Sequence, residues 1–125
     1  MILDTNAVSA LLAGEPALGE VLDHEVVHHL PVIVIGEYRY GLARSSHRRR
    51  LERLLDLLVR ESIVLPIEEE TTRHYAEIRE KLRKAGTPIP ENDVWIAALA
   101  AQHDEVIVSR DRHFDFVNRA LRVEW

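Results

Sequence analysis

The 125-residue sequence contains no cysteine. Disulfides, thiolate metal sites and cysteine nucleophiles are therefore excluded together. The composition fits a reducing compartment, so the cytoplasm is the expected location. Long hydrophobic runs are missing as well. Runs such as Leu30 to Ile35 fall far short of the roughly 20 residues a membrane-spanning helix needs. No basic segment or signal-type cleavage site opens the chain, and Asp4 follows Met1 almost at once, so secretion is not expected. An excess of positive charge is also lacking. Sixteen basic against twenty-one acidic side chains give a formal charge of −5, whereas nucleic-acid-binding chains are usually basic. The protein either avoids nucleic acid or gathers its acids where a metal neutralises them.

What is present suffices for one packed domain over residues 1–125. The chain is 46% apolar and 30% charged, which allows a substantial core and argues against disorder. It shows no internal repeat and no low-complexity linker. Short apolar runs alternate with helical patterns. Met1-Ile2-Leu3, Val26 to Leu30, Ile63-Val64-Leu65, Val106 to Ser109 and Leu121 to Glu124 read as strands. The last of these is expected at a sheet edge. Between them, Asn6 is expected to cap a helix through Leu12, and Pro16 to open one running from Ala17 to Asp23. Pro31 ends its strand and starts a helix over Val32 to Ala43. Ser45-Ser46 begins a helix carrying Leu51, Leu54, Leu55, Leu58 and Val59. Glu68 to Glu70 begin one that ends at Lys81, Arg83, Lys84 and Gly86. Glu91-Asn92-Asp93 open an alanine-rich helix to His103, and His113 to Asn118 form a short helix or turn. This order predicts an α/β fold with a mostly parallel sheet of about five strands and helices on both faces.

Ligands of such sheets bind beyond the carboxyl ends of the strands. Asp4 follows the first strand and Asp111 follows the fourth. Asp93 lies in the first turn of the alanine-rich helix, and Glu37 lies in a helix that itself follows a strand. Asp115 is one helical turn beyond Asp111, within reach of the same face. Clustered carboxylates drive one another towards protonation unless a cation holds them. An oxygen-only set suits Mg²⁺ or Mn²⁺, and such an ion lowers the pKa of bound water and stabilises charge developing at phosphorus. Each acid also has a plainer role. Asp93 and Asn92 suit a helix cap, Asp111 a turn and Glu37 the surface. Asp4 is the hardest to explain away, because an acid directly after Met-Ile-Leu on a buried strand is costly without a partner.

Four segments in order carry a resemblance: Met1-Ile2-Leu3-Asp4-Thr5-Asn6, Glu37-Tyr38-Arg39-Tyr40-Gly41, Pro90 to Ala98 with Asn92-Asp93, and Ser109-Arg110-Asp111-Arg112-His113-Phe114. Together with the ending Leu121 to Trp125, they resemble the PIN-domain ribonucleases, specifically the VapC-type toxins of toxin–antitoxin pairs. The match is collinear and spans essentially the whole chain. The resemblance implies a Mg²⁺- or Mn²⁺-dependent endoribonuclease with Asp4, Glu37, Asp93 and Asp111 as its acidic set. It implies Asp115 as an auxiliary acid, and Asn6 and Ser109 as polar residues that orient the first four. It further implies a homodimer and a cognate antitoxin whose flexible segment crosses the active-site groove. Pro31 departs from the pattern, since relatives often carry serine or threonine there. The expected products are a 5′-phosphate and a 3′-hydroxyl.

The basic cluster of Arg44, Arg48, Arg49 and Arg50 is either a solvated helix face, a phosphate-steering patch for RNA, or a contact for an acidic antitoxin segment. His113 is expected near the rim, packed, hydrogen-bonded or touching RNA. The other histidines lack paired zinc-ligand spacing. Other readings remain beside the toxin ribonuclease. One is a PIN nuclease of RNA maturation, and another is a binding-only PIN module. A third is an aspartyl-phosphate phosphatase with Asp4 as nucleophile. Such a phosphatase also wants a lysine near the phosphate, and the only lysines, Lys81 and Lys84, fall at a helix end.

Overall fold

The computed structural model describes residues 1–23 and 27–125. Five short strands form one sheet: β1 (Ile2–Leu3), β2 (His29–Pro31), β3 (Ile63–Leu65), β4 (Ile107–Val108) and β5 (Arg122–Val123). Their order is β3-β2-β1-β4-β5 and every pairing is parallel. Helices α1 (Thr5–Leu12) and α2 (Pro16–Leu22) join β1 to β2. Helices α3 (Val32–Leu42) and α4 (Arg48–Glu61) join β2 to β3, and α5 (Glu69–Lys84) and α6 (Glu91–His103) join β3 to β4. Two 3-10 turns, Arg112–Phe116 and Arg119–Leu121, lead into β5.

This topology fixes where the site must be. The chain moves outward from β1 through β2 to β3, then crosses back to β4 on the other side of β1 and continues to β5. With right-handed crossovers, that reversal sets α5 and α6 on the opposite face of the sheet from α1 to α4. It also leaves a crevice beyond the carboxyl ends of β1 and β4, where neighbouring connections depart in opposite directions. Register brings the two ends level. Leu3 pairs with Val108, and the Asp4 amide donates to the Val108 carbonyl at 3.2 Å. Asp4 and Ser109 thus leave the sheet side by side, 105 residues apart in sequence.

The core is continuous around the sheet. Ile2, Leu3, Leu30, Ile107 and Val108 are fully buried, as are Val8, Leu18, Val34, Leu55, Ile96, Leu99 and Phe114. Burying an aliphatic or aromatic side chain of this size contributes about 1.5–3 kcal/mol. The alanines of α6 have a packing role. Ala97, Ala98 and Ala100 are buried and let α6 approach its neighbours closely.

Four local expectations are corrected. Asn6 does not cap α1, because the helix already begins at Thr5 with Asp4 in the cap position; the Asn6 amide is used elsewhere. Pro31 does end its strand as expected, but as the strand's own last residue, pairing in register with Leu65, and it precedes α3 rather than lying in its first turn. A terminal strand position suits proline, which has no N–H to donate. Helix α4 begins at Arg48 rather than at Ser45-Ser46; the Ser45 hydroxyl instead accepts the His47 amide at 3.1 Å in the preceding turn. The alanine-rich helix follows Pro90, so Asp93 lies inside its first turn and neither Asn92 nor Asp93 is the cap. The start of the expected second strand, Val26, lies outside the described residues.

Candidate metal centre

Asp4 stands at the floor of the crevice, 4% exposed. Its Oδ2 accepts the Ser109 hydroxyl at 2.7 Å and the Asn6 amide at 3.2 Å. Asn6 Nδ2 also donates to Ser109 Oγ at 3.1 Å, and its Oδ1 accepts the Arg110 amide at 3.1 Å. Ser109 Oγ in turn accepts the Asp111 amide at 2.9 Å. Asn6 and Ser109 therefore tie the ends of β1 and β4 together and fix the carboxylate of Asp4 relative to the backbone of Asp111. They satisfy one oxygen of Asp4 without supplying a cation, and burial raises its pKa, with Asp111 adding repulsion.

Asp93 reaches the crevice from the first turn of α6 and is 8% exposed. Asp111 reaches it from the loop after β4. The imidazole of His113 sits between them, with Nδ1 at 3.1 Å from Asp93 Oδ2 and 3.0 Å from Asp111 Oδ1. Asp111 Oδ1 also accepts the His113 backbone amide at 2.9 Å, which opens the 3-10 turn. Asp93, Asp111 and His113 each present a donor atom within 4.8 Å of the other two. Asp93 has its pKa pushed up to about 6, chiefly by burial, then by Asp111 and Asp4. The contact with His113 only partly offsets this.

Glu37 comes from the middle of α3 and faces the same cluster. It lines an open cleft of about 450 Å³ with Asp93, Asp111 and His113. Its pKa is also raised, by burial and by repulsion from Asp4 and Asp93. Its Oε1 is buried with no hydrogen-bond partner. Among the described residues, no arginine or lysine pairs with Asp4, Glu37, Asp93 or Asp111. Three crowded acids with raised pKa values, one carrying an orphaned oxygen, are short of a cation. The donor set is mainly carboxylate, so these residues fit a hard divalent ion.

The other expected site residues fall in different surroundings. Asp115 does not join the tight group. Both of its oxygens receive the Arg122 guanidinium, at 2.8 and 3.1 Å. Arg44, Arg48, Arg49 and Arg50 are exposed. Arg48 pairs with Glu52 one turn on. Arg50 borders a second cleft of about 580 Å³ between α1, α3 and α4, whose wall includes Thr5, Tyr38 and Leu42. Glu37 lines both clefts.

Sequence reasoning placed His113 near the rim but missed its position between two acids. The signal was the Asp-x-His spacing. A residue two beyond Asp111 returns beside it when the aspartate accepts that residue's amide. The pairing of Arg122 with Asp115 had no comparable local signal.

A PIN-domain family model matches residues 1–120. The VapC ribonuclease Y4jK of Sinorhizobium fredii is 32% identical over 123 residues, covering 89% of this chain and 86% of its own. Ribonuclease VapC5 of Mycobacterium tuberculosis is 32% identical over 125 residues, covering 98% and 91%. Among solved structures, VapBC-5 of Mycobacterium tuberculosis, a member of the VapBC family of toxin–antitoxin systems, superposes with a TM-score of 0.74 at 23% identity. That superposition covers 98% of this chain and 94% of that one. The chain belongs to the PIN-domain family and, within it, to the VapC ribonucleases.

Proposed function

We propose that the chain is a Mg²⁺- or Mn²⁺-dependent endoribonuclease, that Asp4, Glu37, Asp93 and Asp111 form its catalytic acid set, and that a cognate antitoxin holds it in check. The observation that carries this reading is the convergence of four acids with no built-in arginine or lysine partner at the topological switch point of the sheet. When bound, a divalent ion would supply an activated water and neutralise charge on the leaving 3′-oxygen. The chain's own residues do the rest. Asp4, fixed by Ser109 and Asn6, and Asp93, fixed on α6, hold their oxygens in place before substrate arrives, so little reorganisation is needed. Glu37, which lines the cleft beside Asp93 and Asp111 and has an unpaired oxygen, is the acid suited to orient the attacking water. Hydrolysis by water leaves a 5′-phosphate and a 3′-hydroxyl and requires no attack by the 2′-hydroxyl.

The antitoxin reading is supported by membership among the VapC ribonucleases and by the second cleft, which runs from Glu37 to Arg50. A flexible partner segment lying in that cleft would meet both Arg50 and Glu37. A homodimer is also proposed, supported by large apolar residues left on the surface, among them Tyr40, Leu57 and Phe116.

The test is cleavage of a mixed cellular RNA pool, structured RNAs included, by the purified chain with Mn²⁺, with EDTA, and as Asp4→Asn. Cutting is expected only with the ion and with Asp4 intact, leaving 5′-phosphate ends. Absence of cutting by the folded, antitoxin-free chain with either Mg²⁺ or Mn²⁺ would overturn the catalytic reading and leave a binding module. Co-expression with its own small upstream or downstream partner gene should abolish cutting; failure to do so would favour a role in RNA maturation.

A further inference from the structure

We propose that His113 is a metal ligand through Nδ1, completing a mixed nitrogen–oxygen set with Asp93 and Asp111 that biases the site towards Mn²⁺ over Mg²⁺. This rests on the metal-dependent reading above and deepens it by naming the ion the chain prefers.

The spacing is the first argument. Neighbouring donors around an octahedral ion, each about 2.1 Å from the metal and at right angles, lie about 3.0 Å apart. His113 Nδ1 lies 3.0 Å from Asp111 Oδ1 and 3.1 Å from Asp93 Oδ2. The second argument is hydrogen-bond supply. A single ring N–H at Nδ1 has one good direction, yet two carboxylate oxygens stand at nearly equal distance from it. A lone pair directed at an ion shared by all three groups uses that convergence fully. The third is rigidity. Asp111 accepts the His113 amide at 2.9 Å, and Phe114, next in the chain, is fully buried. Asp111 and His113 therefore form a preset clamp, held by one turn of backbone, with Asp93 closing it from α6.

The choice of ion follows from ligand chemistry. Carboxylate, carbonyl and water suit Mg²⁺ and Mn²⁺ alike, but of the two only Mn²⁺ belongs to the first-row transition series, whose divalent ions accept a nitrogen donor more readily than Mg²⁺ does. An imidazole in the inner sphere therefore raises Mn²⁺ affinity more than Mg²⁺ affinity.

A competing role gives the opposite sign. If His113 is instead a built-in cation that neutralises the acids, an incoming ion must displace it, and removing the ring would tighten ion binding. The experiment measures Mn²⁺ and Mg²⁺ binding calorimetrically to the full chain, to His113→Ala, to His113→Gln and to Asp93→Asn. Pulsed electron paramagnetic resonance of the Mn²⁺ complexes reads nitrogen coupling directly. Expected is a nitrogen coupling in the unmodified chain that vanishes in His113→Ala. With it should come an Mn²⁺ affinity weakened about 10–100-fold, and an Mg²⁺ affinity changed by less than about threefold. Half-exposed His113 is not part of the core, and the melting temperature of each variant reports that the fold is intact. Mn²⁺ bound in an Asp93-dependent way but without nitrogen coupling, or held as tightly by His113→Ala, overturns the His113 assignment alone. Absence of any Asp93-dependent Mn²⁺ binding overturns the metal reading with it.

Discussion

Asp111 and Asp115 are one helical turn apart, yet they belong to opposite kinds of acidic neighbourhood. Asp115 has its own cation. Arg122 grips both of its oxygens, reaches Glu124 at 2.9 Å and donates to the Ser109 carbonyl at 3.2 Å. The Asp115 carboxyl is accordingly held below its usual range by that guanidinium. Asp111 faces Asp93 and Asp4 instead, where among the described residues no arginine or lysine pairs with any of the three, and both of those neighbours are pushed upward. The contrast separates an acid paired with arginine from one without such a partner and, under the proposed function, a structural role from a catalytic one. A carboxylate paired with arginine closes a surface and needs nothing more. Carboxylates crowded together and left unpaired store a demand for positive charge, which a mobile ion and a phosphate backbone can answer together.

The largest expected effect breaks the functional side of this comparison. Asp4→Asn and Asp93→Asn keep shape and hydrogen-bonding capacity but remove charge. Metal-dependent RNA cleavage should fall at least about 100-fold in each, more than the loss typical of residues that only orient ligands. The ion-free melting temperature should stay level or rise, because a repulsive charge has gone. Measured rates within about tenfold of the unmodified chain would show that these acids are not the catalytic set.

Next in size is the support beneath them. Ser109→Ala removes the hydroxyl that donates to Asp4 and accepts from the Asp111 amide. Cleavage should fall about 10–100-fold, with metal affinity falling alongside it. Asn6→Ala should act in the same direction, because Asn6 contacts Asp4, Ser109 and Arg110. Stopped cleavage together with full metal affinity would instead place Ser109 in substrate contact.

Much of this arrangement was legible in the sequence because topology does the assembling. Once Met1 to Leu3 and Val106 to Ser109 read as parallel strands, Asp4 and Asp111 had to emerge at the same edge. An acid after a wholly buried strand pointed to a purpose beyond solubility. The sequence was silent where a side chain acts across the fold rather than along it. Asn6 read as a helix cap from its neighbours in sequence, and only the family resemblance pointed to a role beside the acids, because its partners Ser109 and Arg110 come from the segment after β4. Asp115 matched an auxiliary acid by spacing, but its partner Arg122 arrives from the last strand. Pro31 read as the first residue of a helix because its fixed φ is visible in the sequence, whereas its pairing with Leu65 at the end of β2 is set by a neighbouring strand. His113 lay within sight of Asp111 in sequence, but its insertion beside Asp93 depends on where α6 begins.

Arg122→Met tests the structural side. The variant strips Asp115 and Glu124 of their partner while keeping much of the apolar stem. A melting temperature lower by a few degrees is expected, on the order of the 4–8 °C per kcal/mol that domains near this size show. Cleavage by the folded fraction should change by less than about tenfold, and Mn²⁺ affinity by less than about threefold. If ion affinity falls as far as it does in Ser109→Ala, the two neighbourhoods are one network and the division between them fails.

The smallest expected effect is the pH dependence of the ion-free fold, and the two neighbourhoods contribute with opposite signs. Asp93 rises from an ordinary 3.8 to about 6 in the folded chain. Between these values the folded state keeps a proton that the unfolded state has released. The unfolded state therefore binds fewer protons, and stability falls as pH rises from about 4 to about 6, then levels off. Asp4 and Glu37, also raised, act in the same direction. Asp115, lowered by Arg122, does the reverse: its contribution is present above the ordinary value and is lost as pH falls through its depressed one. Melting the ion-free chain at pH 5 and pH 7 beside Asp93→Asn isolates the first effect, because other titrating groups cancel in the difference. The unmodified chain should lose more melting temperature between these pH values than the variant does. Mn²⁺ should restore most of that loss at pH 7, where the ion takes the place of the departed proton, and much less at pH 5, where the proton competes with it. An identical pH response in the two chains would mean that the crowded acids carry no strain, and that their raised values are not what calls the metal in.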